Sequence, residues 1–152
     1  MGKDKTLLAN VGDSRAYIYK DGKLTQVTKD DSKVQILYDR GKISSKEEMR
    51  FNRDSNQINK VLGFPGHDEP TFTVLDNQKY DSLMIVSDGV SDYLSEHDIK
   101  IVCDKTSREG LAKALIKAAN YKKSKGPNKP GFYKERRGGG DNATSAVTFN
   151  ER

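Results

Sequence analysis

The sequence predicts an α+β fold with a largely antiparallel sheet. Three observations support this prediction: strand-like segments separated by turn signals at the N-terminal end, two helical segments after a buried strand near residue 85, and a Thr- and Val-rich strand at the C-terminal end. Strands, then helices, then a final strand favour antiparallel pairing over the regular alternation that builds parallel sheets.

Three short strands are predicted at the N-terminal end. Residues 7–11 form the first, and residues 15–19 form its partner or continuation. Asp21-Gly22 is a strong signal for a two-residue hairpin turn, after which residues 23–28 return as the third strand.

Residues 31–60 differ from the rest of this half because they are polar and charged. A short helix is predicted after Ser45, since Glu48 stands three residues further on, as in a capping box. We expect the segment to lie at the surface rather than in the core.

The second half alternates apolar and amphipathic segments. Residues 71–75 predict a strand, and the apolar run 83–86 predicts a buried one. A capping-box pattern at Ser95 opens one helix, and residues 108–121 carry apolar side chains at helical spacing. Residues 143–149 complete the sheet.

The composition limits the compartment and the class of protein. The chain has 152 residues, which suits one domain or part of one, and 34% of them are hydrophobic. No apolar run approaches the roughly 18 residues of a membrane span, and no secretory signal is visible. The single cysteine, Cys103, fits a reducing compartment and follows Ile101 and Val102, which suggests a buried, inert thiol. We therefore expect a cytoplasmic protein without a membrane partner.

The net charge of +5 is concentrated in residues 113–137, where nine Lys and Arg residues face Glu135 alone. Such a stretch can bind nucleic acid or a phosphorylated substrate, or it can be a solvated helix face followed by a loop. The aromatic interleaving of a base-stacking surface is lacking, which argues against nucleic acid as a partner.

Three segments place an aspartate at the end of a predicted strand, beside a glycine or asparagine. They are Gly12-Asp13, Asp88-Gly89 and Asp141-Asn142. If these strand ends meet at one edge of the sheet, the three carboxylates converge. Oxygen ligands without a cluster of His or Cys suit Mg²⁺ or Mn²⁺ rather than zinc. Two such ions close together can clamp a phosphoryl group during hydrolysis.

Each aspartate also has an ordinary structural explanation. Asp13 can form a turn, Asp88 can cap the turn that follows it, and Asp141 can accept hydrogen bonds from backbone donors at the start of a strand. The residues alone leave both interpretations open.

Four blocks, taken together and in order, carry a resemblance to a known family. They are LLANVGDSRAYIYKDGKLTQVTKDDSKV, SSKEEMRFNRDSNQINKVLG, DSLMIVSDGVSDYLSEHDI and GGGDNATSAVTF. They resemble the bacterial branch of the PPM/PP2C-type metal-dependent protein Ser/Thr phosphatases. The resemblance implies an antiparallel β-sandwich flanked by helices, and hydrolysis of phosphoserine and phosphothreonine in proteins by direct attack of a metal-held hydroxide.

The resemblance also implies a ligand set. Asp88 and Asp141 would hold one catalytic metal, and Asp13 would help to hold a third, weaker one. The complete domain would take two or three Mg²⁺ or Mn²⁺ ions. Gly12, Gly89 and Asn142 would support these ligands, and residues 31–60 would form the mobile flap beside the active site. No residue of this chain is assigned to substrate binding.

The chain departs from the family pattern in one large respect. The family has an N-terminal part with an Asp-Gly-His/Met-Gly-Gly motif, whose aspartate bridges two metals, and an arginine that can hold phosphate. Neither motif occurs here. Residues 1–152 are therefore expected to be the C-terminal portion of a domain, completed by an N-terminal segment or by a second chain. The alternative function is a non-catalytic pseudophosphatase or a regulatory, partner-binding fragment.

Four residues other than the implied ligands carry further expectations. His67 and His97 do not match the proton-donating histidine of the family, and we expect both at the surface. Arg15 is expected to form a structural ion pair. A smaller departure is Asp31, where many bacterial members have histidine.

Overall fold

A computed structural model describes residues 4–125 and 142–150 of the chain. Its strands are β1 (Lys5–Asn10), β2 (Arg15–Lys20), β3 (Lys23–Gln26), β4 (Thr71–Asp76), β5 (Ser82–Val86) and β6 (Ser145–Phe149). Its α-helices are α1 (Lys33–Asp39), α2 (Lys46–Phe51), α3 (Asp88–Ser91), α4 (Glu96–Lys105) and α5 (Leu111–Lys125).

The described strands form two antiparallel sheets. One has four strands in the order β3-β2-β5-β6, and the other pairs β1 with β4. The prediction that the second strand is the partner or continuation of the first is therefore wrong, because β1 and β2 lie in different sheets. Gly12 stands between them with φ of 98°, a left-handed conformation that glycine adopts without strain. That turn carries the chain from one sheet to the other.

The β2–β3 hairpin is built as its sequence predicts. Asp21 and Gly22 both have positive φ, 47° and 75°, which is the turn whose twist matches that of paired strands. β3 ends at Gln26, two residues before the end of the predicted strand.

One side of the four-stranded sheet, which we call the closed face, is covered by α3, α4 and α5. Ser95 caps α4 and exchanges hydrogen bonds with Asp98 in a complete capping box, as predicted. The buried core of the closed face consists of Tyr17, Met84, Val86, Val90, Leu94, Ile99, Cys103, Leu111, Leu115 and Ala119. Among the described residues, this is the largest of the buried clusters.

The two-stranded sheet packs on the other side of the four-stranded sheet. Leu8 and Leu75 contact a small cluster that includes Ala16 and Leu83, so the two sheets form the antiparallel sandwich that was predicted. Ile85 belongs to the strand that was predicted to be buried, but it is 43% exposed. Its neighbours along β5 are buried because the helices cover the opposite side.

The outer side of the two-stranded sheet, which we call the open face, is apolar and exposed. Leu7 is 64% exposed, and Phe72 and Val74 are each 62% exposed. Leu7 pairs with Val74 across the strands, and Phe72 pairs with Ala9. Sheet faces of this composition are normally covered in folded proteins.

Residues 31–60 form a unit with its own small core of Val34, Ile43 and Met49. The sequence predicted one helix here, and the structure has two, because Ser32 caps α1 in addition to Ser45 capping α2. The two ends of the segment are tied together, since the Asn59 amide donates to the Asp31 carbonyl. The segment has no part in the buried core of the closed face. Its role as a flap stays a prediction.

The remaining structural expectations concern exposure. His67 and His97 are exposed, and Cys103 is buried. None of the helices in the described part of the chain combines the length and apolarity that a membrane crossing requires.

Candidate functional site

Asp13 and Asp88 line one pocket, although 75 residues separate them in the chain. Asp13 lies in the turn that follows β1, and Asp88 is the first residue of α3, directly after β5. Four further charged residues line the pocket beside them: Arg15, Asp30, Arg50 and Asp92. The two sheets thus deliver one carboxylate each to the same place.

The turn that carries Asp13 is held by its neighbour Gly12. The Gly12 amide donates to Asp31 Oδ2 at 3.1 Å, and the Gly12 carbonyl accepts from the Asp31 amide at 2.9 Å. Asn10 Nδ2 also donates to that carbonyl. Because backbone bonds fix the turn on both sides, the Asp13 side chain starts from a defined position.

Asp88 is positioned by the tight junction between β5 and α3. Its Oδ1 accepts from the Gly89 amide at 2.7 Å. A Cβ at Gly89 would lie 2.6 Å from the Asn142 carbonyl oxygen, closer than real Cβ contacts occur. The Thr144 amide donates to Ser87 Oγ at 3.1 Å, which fastens this segment to the start of α3. Gly89 and Asn142 are therefore adjacent, whereas Asp141 lies outside the described residues.

The electrostatics of the pocket favour a bound cation. Burial raises the pKa of Asp13, and the nearby charges of Asp88 and Asp30 raise it further, while Arg15 opposes the shift. Like charges held together in a half-buried pocket are relieved by a cation, and carboxylate oxygens suit a hard one. Within residues 4–125 and 142–150, no group of three or more His, Cys, Asp and Glu could hold a metal. Asp13 and Asp88 therefore fit part of a ligand set, and their role as metal ligands stays a prediction.

Arg15 forms the ion pair that the sequence suggested. Its Nε donates to Asp30 Oδ2 at 2.9 Å, and its Nη2 donates to the same oxygen at 2.6 Å. The Asp30 side chain is only 3% exposed. Charge-assisted bonds of this kind orient both partners, so the pair forms a rigid wall beside Asp13.

Arg50 reaches the pocket from α2, a position that the sequence does not predict. Its Nη2 donates to the Asp92 carbonyl at 2.9 Å. One turn earlier, Lys46 Nζ forms an ion pair with Glu96 Oε1 at 2.5 Å. The two side chains hold α2 against residues 92–96. No motif marks Arg50 in the sequence, because its position depends on the tertiary contact between α2 and the residues that follow α3.

Comparisons with known proteins identify relatives, although no family model matches the chain. The chain is 42% identical over 93 residues to the serine/threonine protein phosphatase PstP of Mycobacterium tuberculosis, a match that covers 60% of this chain and 18% of PstP. It is 35% identical over 121 residues to the serine/threonine phosphatase Stp of Listeria welshimeri, covering 79% of this chain and 48% of Stp. The chain thus spans about half the length of Stp and less of PstP.

Solved structures agree with these relatives. A bacterial serine phosphatase matches 99% of this chain with a TM-score of 0.81 at 30% identity, and the match covers 55% of that protein. The catalytic domain of the phosphatase PstP, solved in complex with two manganese ions, matches 97% of this chain with a TM-score of 0.70 at 30% identity, covering 54% of that domain.

Proposed function

Because the chain belongs to the PPM/PP2C-type family of protein serine/threonine phosphatases and fits the C-terminal portion of their domain, we propose that it takes part in metal-dependent hydrolysis of phosphoserine and phosphothreonine. The observation that carries the proposal is the meeting of Asp13 and Asp88 in one pocket. The substrate is a phosphorylated protein. The compartment we propose is the cytoplasm, where the single thiol of Cys103 stays reduced.

The metal ligands in this proposal are Asp13, Asp88 and Asp141. Asp88 and Asp141 hold one catalytic ion, and Asp13 joins Asp88 in holding a further ion. The ions are Mg²⁺ or Mn²⁺, two or three in the complete domain. The two manganese ions in the PstP structure support Mn²⁺ as the first ion to test.

The chemistry divides between the ions and the chain. When bound, the ions supply a Lewis acid that activates water and neutralises charge on the phosphoryl group. The chain fixes the carboxylates: the bonds of Gly12 to Asp31 hold the Asp13 turn, and the Gly89 amide orients Asp88. The Arg15–Asp30 pair keeps the neighbouring wall rigid. Preorganised ligands lower the cost of reaching the reactive geometry.

The open face supports a further part of this proposal. Leu7, Phe72 and Val74 are exposed on a sheet of only two described strands. The relatives are longer than the match to this chain. We propose that an N-terminal segment, or a second chain that supplies an equivalent segment, covers the open face and completes the two-stranded sheet. Such cover also removes open strand edges, which otherwise promote aggregation.

The first test is hydrolysis of a phosphothreonine peptide by the chain with and without Mn²⁺. Asp88→Asn removes a proposed ligand with almost no change in shape, and Asp21→Asn is the matched control because it alters the other Asp-Gly pair, in an exposed turn. We expect Mn²⁺-dependent turnover in the wild-type chain and the control. We expect at least a hundredfold less in Asp88→Asn, which is the size of loss that follows removal of a group that stabilises charge in a transition state.

If the wild-type chain folds and binds Mn²⁺ but leaves the peptide intact, that result contradicts the proposal that this chain hydrolyses it. The same outcome would favour the alternative of a non-catalytic module that binds phosphorylated partners. Circular dichroism on all three proteins confirms that the comparison is made between folded chains.

A further inference from the structure

Two arginines line the pocket, and they differ in what their guanidinium groups already bind. Arg15 commits its Nε and Nη2 to the buried carboxylate of Asp30. Arg50 donates through Nη2 to the Asp92 carbonyl, but its buried Nε has no hydrogen-bond partner among the described residues. Buried donors in native proteins almost always have an acceptor, which can be a protein group, a water molecule, an ion or a ligand.

From this difference we infer that Arg50 holds the phosphate group of the substrate, through the Nε–H that no described residue accepts. The inference rests on the proposed phosphatase function and names a substrate-binding residue for it. A phosphate dianion offers several acceptor oxygens, and a guanidinium presents donors in a fixed fork that matches them. The pocket that Arg50 lines also contains Asp13 and Asp88, the proposed metal ligands.

The position of Arg50 is fixed before any ligand arrives. The bond to Asp92 holds one end of the guanidinium, and its carbon lies 5.4 Å from the centre of the Phe51 ring. The Lys46–Glu96 ion pair anchors the same helix one turn earlier. A side chain held in this way loses little conformational entropy on binding, which favours affinity and orientation.

The surroundings explain why an anion would be accepted there. Burial lowers the pKa of Arg50, because desolvation penalises its charged form. No described carboxylate accepts a hydrogen bond from Arg50 Nε. The loss of hydration of the guanidinium is therefore not fully offset by protein hydrogen bonds. A phosphate that binds together with divalent ions supplies an acceptor for Arg50 Nε–H. The ions offset the negative charge of the pocket carboxylates.

The alternative role for Arg50 is a clamp that only fastens α2 to residue 92. Both roles would make substitution of Arg50 harmful to activity, so activity alone does not separate them. The separating measurement is whether phosphate contacts the Nε–H itself. Arginine Nε–H groups give their own signals in proton–nitrogen correlation spectra, and a buried one exchanges slowly with solvent.

The experiment uses the full chain labelled with ¹⁵N-arginine, saturated with Mg²⁺ and titrated with inorganic phosphate. The Arg50 signal is assigned by its absence from the spectrum of Arg50→Lys. We expect it to move downfield and saturate, while the signal of Arg53, whose side chain is 93% exposed, stays in place. By calorimetry we expect Arg50→Gln to weaken phosphate binding about 10- to 100-fold, as loss of a charge-assisted bond does. Arg53→Gln is the matched control and should bind as the wild type does.

Two outcomes overturn the inference in distinguishable ways. If phosphate binds the wild type and Arg50→Gln equally and the Arg50 signal does not move, Arg50 is a clamp and the proposed function is untouched. If the Mg²⁺-saturated wild-type chain binds no phosphate at all, the inference fails together with the proposed function. Should Arg50→Gln fail to fold, the wild-type titration decides by itself.

Discussion

The closed face and the open face are opposite sides of one sandwich, and they differ in how completely their apolar side chains are buried. Three helices seal the closed face around a core in which Met84, Val90 and Leu115 are fully buried. The open face leaves Leu7, Phe72 and Val74 mostly exposed. The difference teaches that this chain buries its main core on one side of the sandwich and leaves apolar side chains exposed on the other. The pocket lies where the two sheets meet, so it receives one carboxylate from each of them, Asp13 and Asp88.

The largest expected effect tests whether the closed face carries the stability. Leu115→Ala should lower the free energy of unfolding by about 2–5 kcal/mol, because it opens a cavity in a fully buried site. Leu7→Ala makes the same chemical change on the open face and should cost less than about 0.5 kcal/mol. Urea unfolding followed by circular dichroism measures both. Equal losses would show that the two faces contribute alike.

The next effect concerns the junction between the closed face and the pocket. Gly89→Ala places a Cβ against the Asn142 backbone and should cost about 1–3 kcal/mol through overpacking. It should also weaken Mn²⁺ binding, since Asp88 is attached to the displaced backbone. Gly110→Ala is the control, because its Cβ would meet Thr106 Cγ2 at 3.4 Å, close to an ordinary contact. Calorimetry with Mn²⁺ and thermal unfolding test both variants, and normal metal binding by Gly89→Ala would contradict the close packing.

A smaller effect tests whether the Cys103 thiol on the closed face is shielded from water. Burial raises the pKa of the Cys103 thiol to about 11 from an ordinary value of 9.0. The folded state therefore favours the neutral thiol, and this contribution to stability is complete below pH 9 and is lost as the pH rises through about 11. Wild type should lose stability over that window faster than Cys103→Ala. Urea midpoints measured at several pH values decide, and parallel curves would mean that the thiol is hydrated.

The smallest effect on stability belongs to the open face itself. Changing the cross-strand pair to Leu7→Glu with Val74→Lys should alter the free energy of unfolding by no more than about 0.5 kcal/mol. Opposite charges facing each other across two strands are compatible with the sheet. The pair should nevertheless reduce self-association, measured by light scattering after gel filtration. Unchanged self-association would mean that a different surface causes it. A large loss of stability would mean that the open face is not solvent-exposed in the folded chain.

Local signals in the sequence were sufficient for much of the fold. The Asp21-Gly22 turn and the Ser95 capping box depend on neighbours within four residues, so the sequence states them directly. Two short helices were missed: α1, which has only seven residues, and α3, which has only four. The separation of β1 and β2 into different sheets also went unpredicted, because a strand pattern says nothing about which partner it will meet.

The site was predictable in the same uneven way. Asp13 and Asp88 follow strands and glycines, a pattern visible in the sequence, and the structure brings them to one pocket. Arg50 carries no such pattern. It belongs to an ordinary polar helix, and only the docking of α2 against residues 92–96 gives it a place beside the carboxylates. Tertiary contacts of this kind cannot be inferred from the local periodicity of the sequence.

The junction at Asp31 has a consequence for how this region can change through evolution. The Asn59 amide bonds to the Asp31 carbonyl, and the Lys33 amide bonds to the Gln57 carbonyl, so the segment between them departs and returns at neighbouring points. A segment with adjoining ends can be lengthened, shortened or exchanged at a small entropic cost, which rises only slowly with loop length. Residues 34–56 can therefore vary in length while Asp13 and Asp88 stay in place, provided that the segment keeps Arg50 at the pocket.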